Sequence, residues 1–390
     1  MGSVKLQQND LLIRLYEAWG ASFGGDADAL FFAPGRVNLL GAHLDYNQGF
    51  VLPAAVDRGT FVLVRKRSDR RVRLRSLDRE PALDLALDQL IFDREHSWAN
   101  YAKGALAAMA PELPGLDLLY SGNLPIGAGL SSSASVLVAT ATAANEYLQH
   151  KKTKSEIVSL CHAAEVHFVG VRCGVMDHYA STFGVRDQLL YLDCRRQEHS
   201  EVPFDSARAS IVVLDTTRRR ELSDGRFNDR VHECGAAVEF LKSKGMVITA
   251  LRDATVDQLE HYKNEMPPVL YRRAMHVATE IQRIHRGVDA MRRGDFEQFG
   301  ECLQQSHASC RDLYEVSSAE LDALVDAANA TEGTFGARLT GAGFGGCCVA
   351  VVANKALPNF CKEVAGRYEQ KTGLTPRLYI FRPAAGAGRM

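Results

Sequence analysis

The pattern of apolar and polar positions divides the chain into a mixed first part, a helical middle and a strand-rich end. Apolar residues at helical spacing predict helices over 8–20, 99–109, 133–149, 155–170 and most of 229–330, with a break at Gly294-Asp295. Short apolar or alternating runs predict strands over 50–53, 60–67, 71–75, 187–193, 210–215, 337–340, 346–352 and 376–381. The small residues 384–388 predict a loose tail. The pattern indicates a mixed α+β chain.

Length and charge narrow the class of protein. At about 150 residues per domain, 390 residues predict two domains, and we place them at 1–205 and 206–390. The 46 Lys and Arg residues balance 47 Asp and Glu residues, which argues against a dedicated nucleic-acid or anionic-membrane binder. Nine cysteines without a C-x-x-C pair, and without a signal peptide ahead of them, predict reduced thiols in the cytoplasm.

Two segments can be interpreted either as ordinary structural elements or as binding regions. Residues 118–145 carry no charge, but Asn123, Pro125 and the serine run predict a strand, a loop and a buried helix rather than a membrane span. The basic run from Arg65 to Arg75 has no interleaved aromatics to stack on bases. We predict that this run is the solvated face of a hairpin.

The sharpest chemical motif joins two glycines to a serine run at the start of an alanine-rich helix. It reads Leu-Pro-Ile-Gly-Ala-Gly-Leu-Ser-Ser-Ser over residues 124–133. Glycine permits close backbone approach, and a helix N-terminus directs N–H groups at an anion. Serine hydroxyls can bind phosphate or Mg²⁺. The motif lacks the Gly-Lys-Ser/Thr of a Walker A loop, and a loop that only caps a buried helix fits it about equally well.

A second motif, in residues 35–49, interrupts an apolar strand with polar residues at a turn. Asp45 and His43 can hydrogen bond to sugar hydroxyls, and Arg36 can balance a phosphate or a carboxylate. On these residues alone, a salt-bridged turn is the favoured alternative.

Two further segments complete the set. Residues 337–348 place four glycines in six positions after an apolar strand, which suits ligand approach or a bulged turn equally well. Asp177 lies among apolar residues, where a lone charge costs free energy unless it is paired. Arg36 is its candidate partner.

In this order the motifs resemble those of the GHMP kinase superfamily and, within it, the galactokinase family. Residues 98–104, 251–253 and 311–317 also resemble galactokinase segments, so the resemblance covers most of the chain. It implies a two-lobed α+β GHMP kinase fold with the active site in the cleft between the lobes. It also implies ATP, Mg²⁺ and phosphoryl transfer to the C1 hydroxyl of a hexose.

The resemblance further implies roles for individual residues. Asp177 corresponds to the catalytic acidic residue, and Arg36 to the arginine that stabilises charge and keeps Asp177 ionised. Ser133 and Glu165 correspond to Mg²⁺ ligands. The positions implied for the nucleotide are Ser76, Trp98, Gly127, Ala128, Gly129, Leu130, Ser131, Ser132 and Ser133. The positions implied for the sugar are Ala42, His43, Asp45, Gly174 and Phe227.

Three residues depart from the galactokinase pattern. Ala42 replaces a glutamate expected near the sugar's 6-hydroxyl, Phe227 replaces a tyrosine, and His178 replaces a glutamine. A glutamate would repel a C6 carboxylate by about 4 kcal/mol at an effective dielectric of about 20. Its loss, which resembles plant-type galacturonokinases, favours D-galacturonic acid as the substrate, with galacturonate 1-phosphate and ADP as products.

Other functions stay open. Ala42 also suits galactose or a sugar with an apolar C6 substituent, and no cation for a C6 carboxylate is identifiable from the sequence. A galactokinase-like sensor without turnover is less favoured, because the phosphate loop, Asp177 and Arg36 are intact. The expected partner is therefore a small-molecule sugar or sugar acid, with neither nucleic acid nor a membrane involved.

Overall fold

The structure is a computed structural model that describes residues 2–125, 127–171, 173–218 and 223–390. Within these ranges the chain forms two β-sheets with helices packed around them, which confirms the predicted α+β class. None of the helices described there is both long and apolar enough to span a bilayer.

The larger sheet is built mainly from the first half of the chain. In the described residues its strands are β1 (Ala29–Leu40), β2 (Phe50–Lys66), β3 (Arg71–Ser76), β4 (Leu83–Ala86), β5 (Leu116–Gly122), β6 (Gln188–Asp193), β7 (Glu198–Pro203) and β12 (Gly388–Arg389). The main path runs β12-β1-β2-β5-β3-β4, and β6 joins β2 to β7. Most neighbours are antiparallel, but β3 and β5 are parallel.

The smaller sheet is antiparallel and lies in the second half. It contains β8 (Ala209–Asp215), β9 (Thr334–Thr340), β10 (Cys347–Ala353) and β11 (Arg377–Phe381) in the order β11-β8-β10-β9. Every residue of β10 is buried, as expected for a central strand covered on both faces. The predicted domain boundary at 205/206 falls between β7 and β8 and stays a prediction.

The helices pack against the two sheets. Their bounds are α1 (Gly2–Phe23), α2 (Asn100–Ala107), α3 (Ser132–Asn145), α4 (Lys154–Ala163), α5 (Met176–Phe183), α6 (Ser223–Ser243), α7 (Val256–His261), α8 (Pro268–Arg292), α9 (Phe296–Asp312), α10 (Ala319–Asn329) and α11 (Leu357–Thr372). A π-helical turn, Ala164–Val169, continues α4. The predicted break between α8 and α9 is confirmed, because the Asp295 side chain caps α9 by accepting from the Gln298 N–H at 2.9 Å.

Three sequence predictions are wrong. Strands 50–53 and 60–67 are one strand, β2, because the residues between them pair with β1, as Ala55 does with Arg36. This pairing outweighs the weak strand propensity of the intervening segment.

The basic run is not a hairpin face, because β5 lies between β2 and β3. It brings Asp117, 1% exposed, against Arg65, Arg67 and Arg73 at 2.8, 3.0 and 2.6 Å. Three arginines of the run therefore neutralise a buried carboxylate, while residues 66 and 68–71 meet solvent.

The C-terminal residues are not a loose tail. Ala384, Gly386 and Ala387 donate backbone hydrogen bonds to Ala55, Gly184 and Ser181, and β12 pairs with β1. The small side chains permit this close backbone packing, which the sequence pattern did not reveal.

Candidate active site

A cavity of about 170 Å³ lies where the two sheets meet. Residues of β1 and its following loop contribute one wall, α5 and the segment before it another, and β9 and its glycine turn a third. It is lined by Arg36, Asn38, Gly41, Ala42, His43, Asp45, Cys173, Gly174, Met176, Asp177, Phe227, Arg338, Gly341 and Ala342. All the predicted sugar positions and both predicted catalytic residues are in this group.

Arg36 and Asp177 form a bidentate ion pair at the cavity. Arg36 Nε and Nη2 donate to the two carboxylate oxygens at 2.7 and 2.8 Å, and Ser131 Oγ donates to Oδ2. Burial alone would raise the pKa of Asp177, but the charge of Arg36 and the hydrogen bonds from Arg36 and Ser131 hold it below its usual range. Asp177 is therefore ionised at neutral pH, and the predicted pairing with Arg36 is confirmed.

The glycine–serine motif lies directly beside this pair. Arg36 Nη1 donates to the Gly129 carbonyl at 2.7 Å. Gly127, Gly129 and Ser131 all have positive φ values, 79°, 67° and 54°, and the chain then enters α3. The Ser131 hydroxyl does not cap α3, because it is bound to Asp177. Ile126 of this motif lies outside the described residues.

The amides at the start of α3 therefore lack a side-chain cap and can receive an anion. Gly127 is exposed, and a Cβ built on it would meet no atom within 4 Å, so the loop has open space beside it. Ala128 and Leu130 are buried beneath the loop, which anchors it to the core. The loop therefore has amide donors and open space for an anion, which is compatible with the nucleotide-binding role that the galactokinase resemblance implies.

The two predicted metal ligands lie on separate elements. Ser133 is half-buried in the first turn of α3, and Glu165 is buried in the π-helical turn after α4. His178 Nε2 lies 2.9 Å from Glu165 Oε2 without hydrogen-bond alignment, and the Cys173 thiol lies 3.5 Å from the same oxygen. One carboxylate and one hydroxyl suit Mg²⁺, which takes few protein ligands when it binds through phosphates.

Ser76 and Trp98 do not line this cavity. Ser76 ends β3 in register with Tyr120, and the Trp98 ring meets the Tyr120 ring edge-on at 6.4 Å between centroids. The Trp98 indole N–H donates to the Pro81 carbonyl at 3.2 Å. Ser76 and Trp98, two of the predicted nucleotide positions, thus both lie next to the buried Tyr120.

His43 carries an unsatisfied nitrogen in the cavity. The residue is buried with a φ of 57°, and its Nδ1 lies 2.9 Å from the Tyr46 hydroxyl, which bonds the Tyr314 hydroxyl at 2.7 Å. Its Nε2 has no partner among the described residues. Burial, then the nearby His276, Arg338 and Arg230 charges, lowers the pKa of His43 to about 3. A neutral imidazole with one free nitrogen can hydrogen bond to a ligand.

Asp45 is the second acid of the cavity. A Cβ built on Gly174 would lie 2.5 Å from Asp45 Oδ2, so the glycine leaves room for the Asp45 carboxylate. Burial and the negative charge of Asp177 raise the pKa of Asp45 to about 6. The Phe227 ring is 6.0 Å from the His43 ring and adds an apolar wall.

The site residues missed in the sequence include Asn38, Cys173, Met176, Arg338, Gly341 and Ala342. Arg338, Gly341 and Ala342 belong to the glycine-rich third motif, which was a usable signal. Asn38 lies within the motif of residues 35–49, two positions after Arg36 on β1, so a polar residue in a largely apolar strand was its signal. Its Oδ1 is buried without a partner within the described structure, while its amide nitrogen donates to the Gly41 carbonyl at 3.3 Å.

Comparison with known families matches three parts of the chain. The galactokinase galactose-binding signature matches residues 17–66, the GHMP kinases N terminal domain matches 100–185, and the GHMP kinases C terminal domain matches 288–368. The first two matches contain Arg36, the loop residues 41–49, the glycine–serine motif and Asp177.

Individual proteins match over nearly the full length. The chain is 40% identical to galactokinase of Fusobacterium nucleatum over 369 residues, which is 92% of this chain and 94% of that protein. It is also 40% identical to galactokinase of Roseiflexus sp. over 379 residues, 96% of each. The crystal structure of Lactococcus lactis galactokinase complexed with galactose superposes with a TM-score of 0.92 at 32% identity, covering 97% of this chain and 100% of that one. The predicted GHMP kinase fold is confirmed.

Proposed function

Because the chain belongs to the galactokinase family of GHMP kinases and is a sugar kinase, we propose that it transfers the γ-phosphoryl group of ATP to the anomeric hydroxyl of D-galactose. The observation that carries this proposal is the Arg36–Asp177 pair, which lies in the sugar cavity and bonds directly to the phosphate loop. That arrangement brings an ionised carboxylate and a guanidinium to the point where an acceptor hydroxyl meets a phosphate.

The chemistry follows from the states of these two groups. An anomeric hydroxyl becomes a better nucleophile as its proton leaves, and the ionised Asp177 carboxylate can accept or orient that proton. Arg36 keeps Asp177 ionised and offsets negative charge that develops during transfer. Because both groups are held bidentately, little reorganisation is needed when substrate arrives.

Nucleotide and metal are assigned to the residues around the loop. The backbone of Gly127–Ser133 receives the phosphates, and Ser76 and Trp98 lie toward the nucleoside. Ser133 and Glu165 would hold Mg²⁺, which when bound would neutralise phosphate charge. His178 Nε2 lies 2.9 Å from the Glu165 carboxylate.

Galactose fits the polar groups of the cavity better than galacturonic acid does. Both lining cations are already paired, Arg36 with Asp177 and Arg338 with Glu280 at 3.4 Å. His43 is neutral and offers no charge to a C6 carboxylate. The unpartnered Asn38 Oδ1 needs a donor, which the ring hydroxyls of either sugar can supply. The galactokinase relatives add support for galactose.

Galacturonic acid is the second candidate, on the observation that Ala42 and Ala342 line the cavity with methyl groups instead of an acid.

The first experiment is therefore ADP release with ATP and Mg²⁺ across galactose, galacturonate, glucuronate, D-fucose and arabinose. We expect galactose to give the highest kcat/KM. A clear preference for galacturonate, suppressed selectively by Ala42→Glu, would reverse the assignment.

Asp177→Asn separates a kinase from a sugar-binding sensor. The amide keeps the size of the side chain but cannot accept the proton, so we expect kcat to fall at least about a hundredfold. Sugar binding, measured as the rise in melting temperature on adding sugar, should persist. Full turnover in this variant would remove Asp177 from the mechanism.

A further inference from the structure

Two side chains of α8 form hydrogen bonds to the backbone of the loop that precedes His43. Glu280 Oε1 accepts from the backbone N–H groups of Gly41 and Ala42 at 3.1 and 2.9 Å. His276, one helical turn earlier, donates from Nε2 to the Ala42 carbonyl at 3.1 Å. A helix of the second half thus holds both the donor and the acceptor of Ala42.

The Glu280 carboxylate is completely buried and surrounded by donors. Besides the two amides, Oε1 accepts from Ser306 Oγ at 2.7 Å and lies 3.4 Å from Arg338 Nη1, and Oε2 accepts from Arg283 Nε at 2.7 Å. Burial would raise the pKa of Glu280, but chiefly the charges of Arg283, His276 and Arg338 lower it to about 2. Such a charge is tolerated in a core only when it is fully paired.

The backbone angles of this loop need support from neighbouring side chains, one of which is Asn47, which donates to the His43 carbonyl at 2.8 Å. Gly41 has a φ of 88° and packs so closely that a Cβ would lie 2.4 Å from the Phe50 carbonyl oxygen. His43 has a φ of 57°, which is unfavourable for a residue with a side chain and persists only where surrounding contacts impose it. Glu280 and His276 supply contacts immediately before this residue.

We propose that Glu280, together with His276, is a positioning residue that holds the loop at Gly41 and Ala42 and thereby aims His43 Nε2 at the sugar. Glu280 does not line the cavity, so its effect reaches the sugar indirectly, through the loop and through Arg338, its ion-pair partner in the cavity wall. The inference rests on the proposed function in that it takes this cavity to be the sugar site. We predict that loss of these hydrogen bonds to the loop backbone raises the KM for the sugar without a matching change in the KM for ATP.

Glu280→Gln tests the proposal at constant volume. The neutral amide weakens the bonds to both loop N–H groups and leaves Arg283 and Arg338 without a counter-charge. We expect the sugar KM to rise about tenfold and the ATP KM to change by less than about twofold. The matched control is Arg286→Gln, on the same helix, whose side chain contacts Cys302 and Gln305 instead of the loop. This control should leave both KM values unchanged.

A second readout measures sugar binding without turnover. The rise in melting temperature produced by sugar alone should be smaller in Glu280→Gln than in the wild type. An unchanged sugar KM and an unchanged thermal shift in a folded variant would overturn the proposal. If Glu280→Gln does not fold, His276→Gln decides, since it changes the contacts to the Ala42 carbonyl and to Ser309 Oγ but leaves the Glu280–Arg338 pair in place. An unchanged sugar KM there would also overturn the proposal.

The outcome is distinguishable from failure of the proposed function. If the wild type turns over no sugar of the panel but is stabilised by one, the kinase assignment fails while the thermal comparison still tests Glu280. If no sugar is bound at all, both proposals are overturned.

Discussion

At the residue scale, the pKa values of two carboxyls in one cavity are shifted in opposite directions by their neighbours. Asp177 receives the guanidinium of Arg36, which keeps its pKa low. Asp45 is affected most by burial and next by the charge of Asp177, and both raise its pKa to about 6. The ion pair therefore fixes the chemistry at Asp177, while Asp45 titrates close to neutral pH.

This difference predicts where the acid limb of activity lies. As pH falls through about 6, Asp45 gains a proton and can no longer accept hydrogen bonds at both oxygens, so kcat/KM for the sugar should fall. Asp177 contributes no limb in this range because its pKa lies below its usual value. Steady-state rates between pH 5 and 8 for the wild type and Asp45→Asn measure the effect. If kcat/KM for the sugar falls just as much at low pH in Asp45→Asn as in the wild type, a group other than Asp45 causes the fall.

Stability gives an independent check on Asp45. Its folded pKa lies above its usual 3.8, so the unfolded chain releases the proton first and folding stability falls as pH rises from about 4 to about 6. Asp45→Asn should remove this loss and be more stable than the wild type at pH 8. Urea denaturation at pH 4 and pH 8 would show the difference only at the higher pH.

At the element scale, the short strand β12 depends on backbone contacts that larger side chains would block. A Cβ on Gly386 would lie 2.4 Å from the Thr182 carbonyl oxygen, whereas one on Gly388 would meet nothing within 4 Å. The two glycines lie two residues apart at the same end of the chain. A substitution at Gly388 is therefore a matched control for the same substitution at Gly386.

Gly386→Ala should therefore destabilise the protein by about 1–3 kcal/mol through overpacking. Gly388→Ala should change the free energy of unfolding by less than about 0.5 kcal/mol. Chemical denaturation of both variants measures this. Equal stabilities would mean that the C-terminal segment does not hold the position described.

At the scale of the whole molecule, the two sheets are joined in several places. The C-terminal chain runs from β11 of the smaller sheet to β12, which pairs with β1 in the larger sheet, and Thr340 of the smaller sheet donates to the Asn38 carbonyl at 3.0 Å. Glu280 adds a third connection through the loop at Gly41 and Ala42. These links tie the stability of one half to that of the other.

We therefore expect one cooperative thermal transition rather than two. Differential scanning calorimetry should give equal calorimetric and van't Hoff enthalpies, and sugar should shift the whole transition. Two separated transitions, with only one responding to sugar, would show that the halves unfold independently.

The sequence alone determined the family and most elements. The ordered motifs indicate the kinase family, and Arg36 is the candidate partner of Asp177 because a buried charge requires one. Helices and strands with clear periodicity lay where expected, as in α1, β3 and β8. Local patterns succeed here because propensity, burial and capping agree within a short stretch of chain.

The tertiary structure decided what depends on residues far apart in the chain. The parallel pairing that places β5 between β2 and β3, and so buries Asp117, has no local signature. The same holds for β12, and for Glu280, which looks like any helix acid until α8 meets the loop 239 residues away. The physical reason is that burial, pKa and hydrogen-bond partners are properties of a shared environment, which exists only once distant segments have packed together.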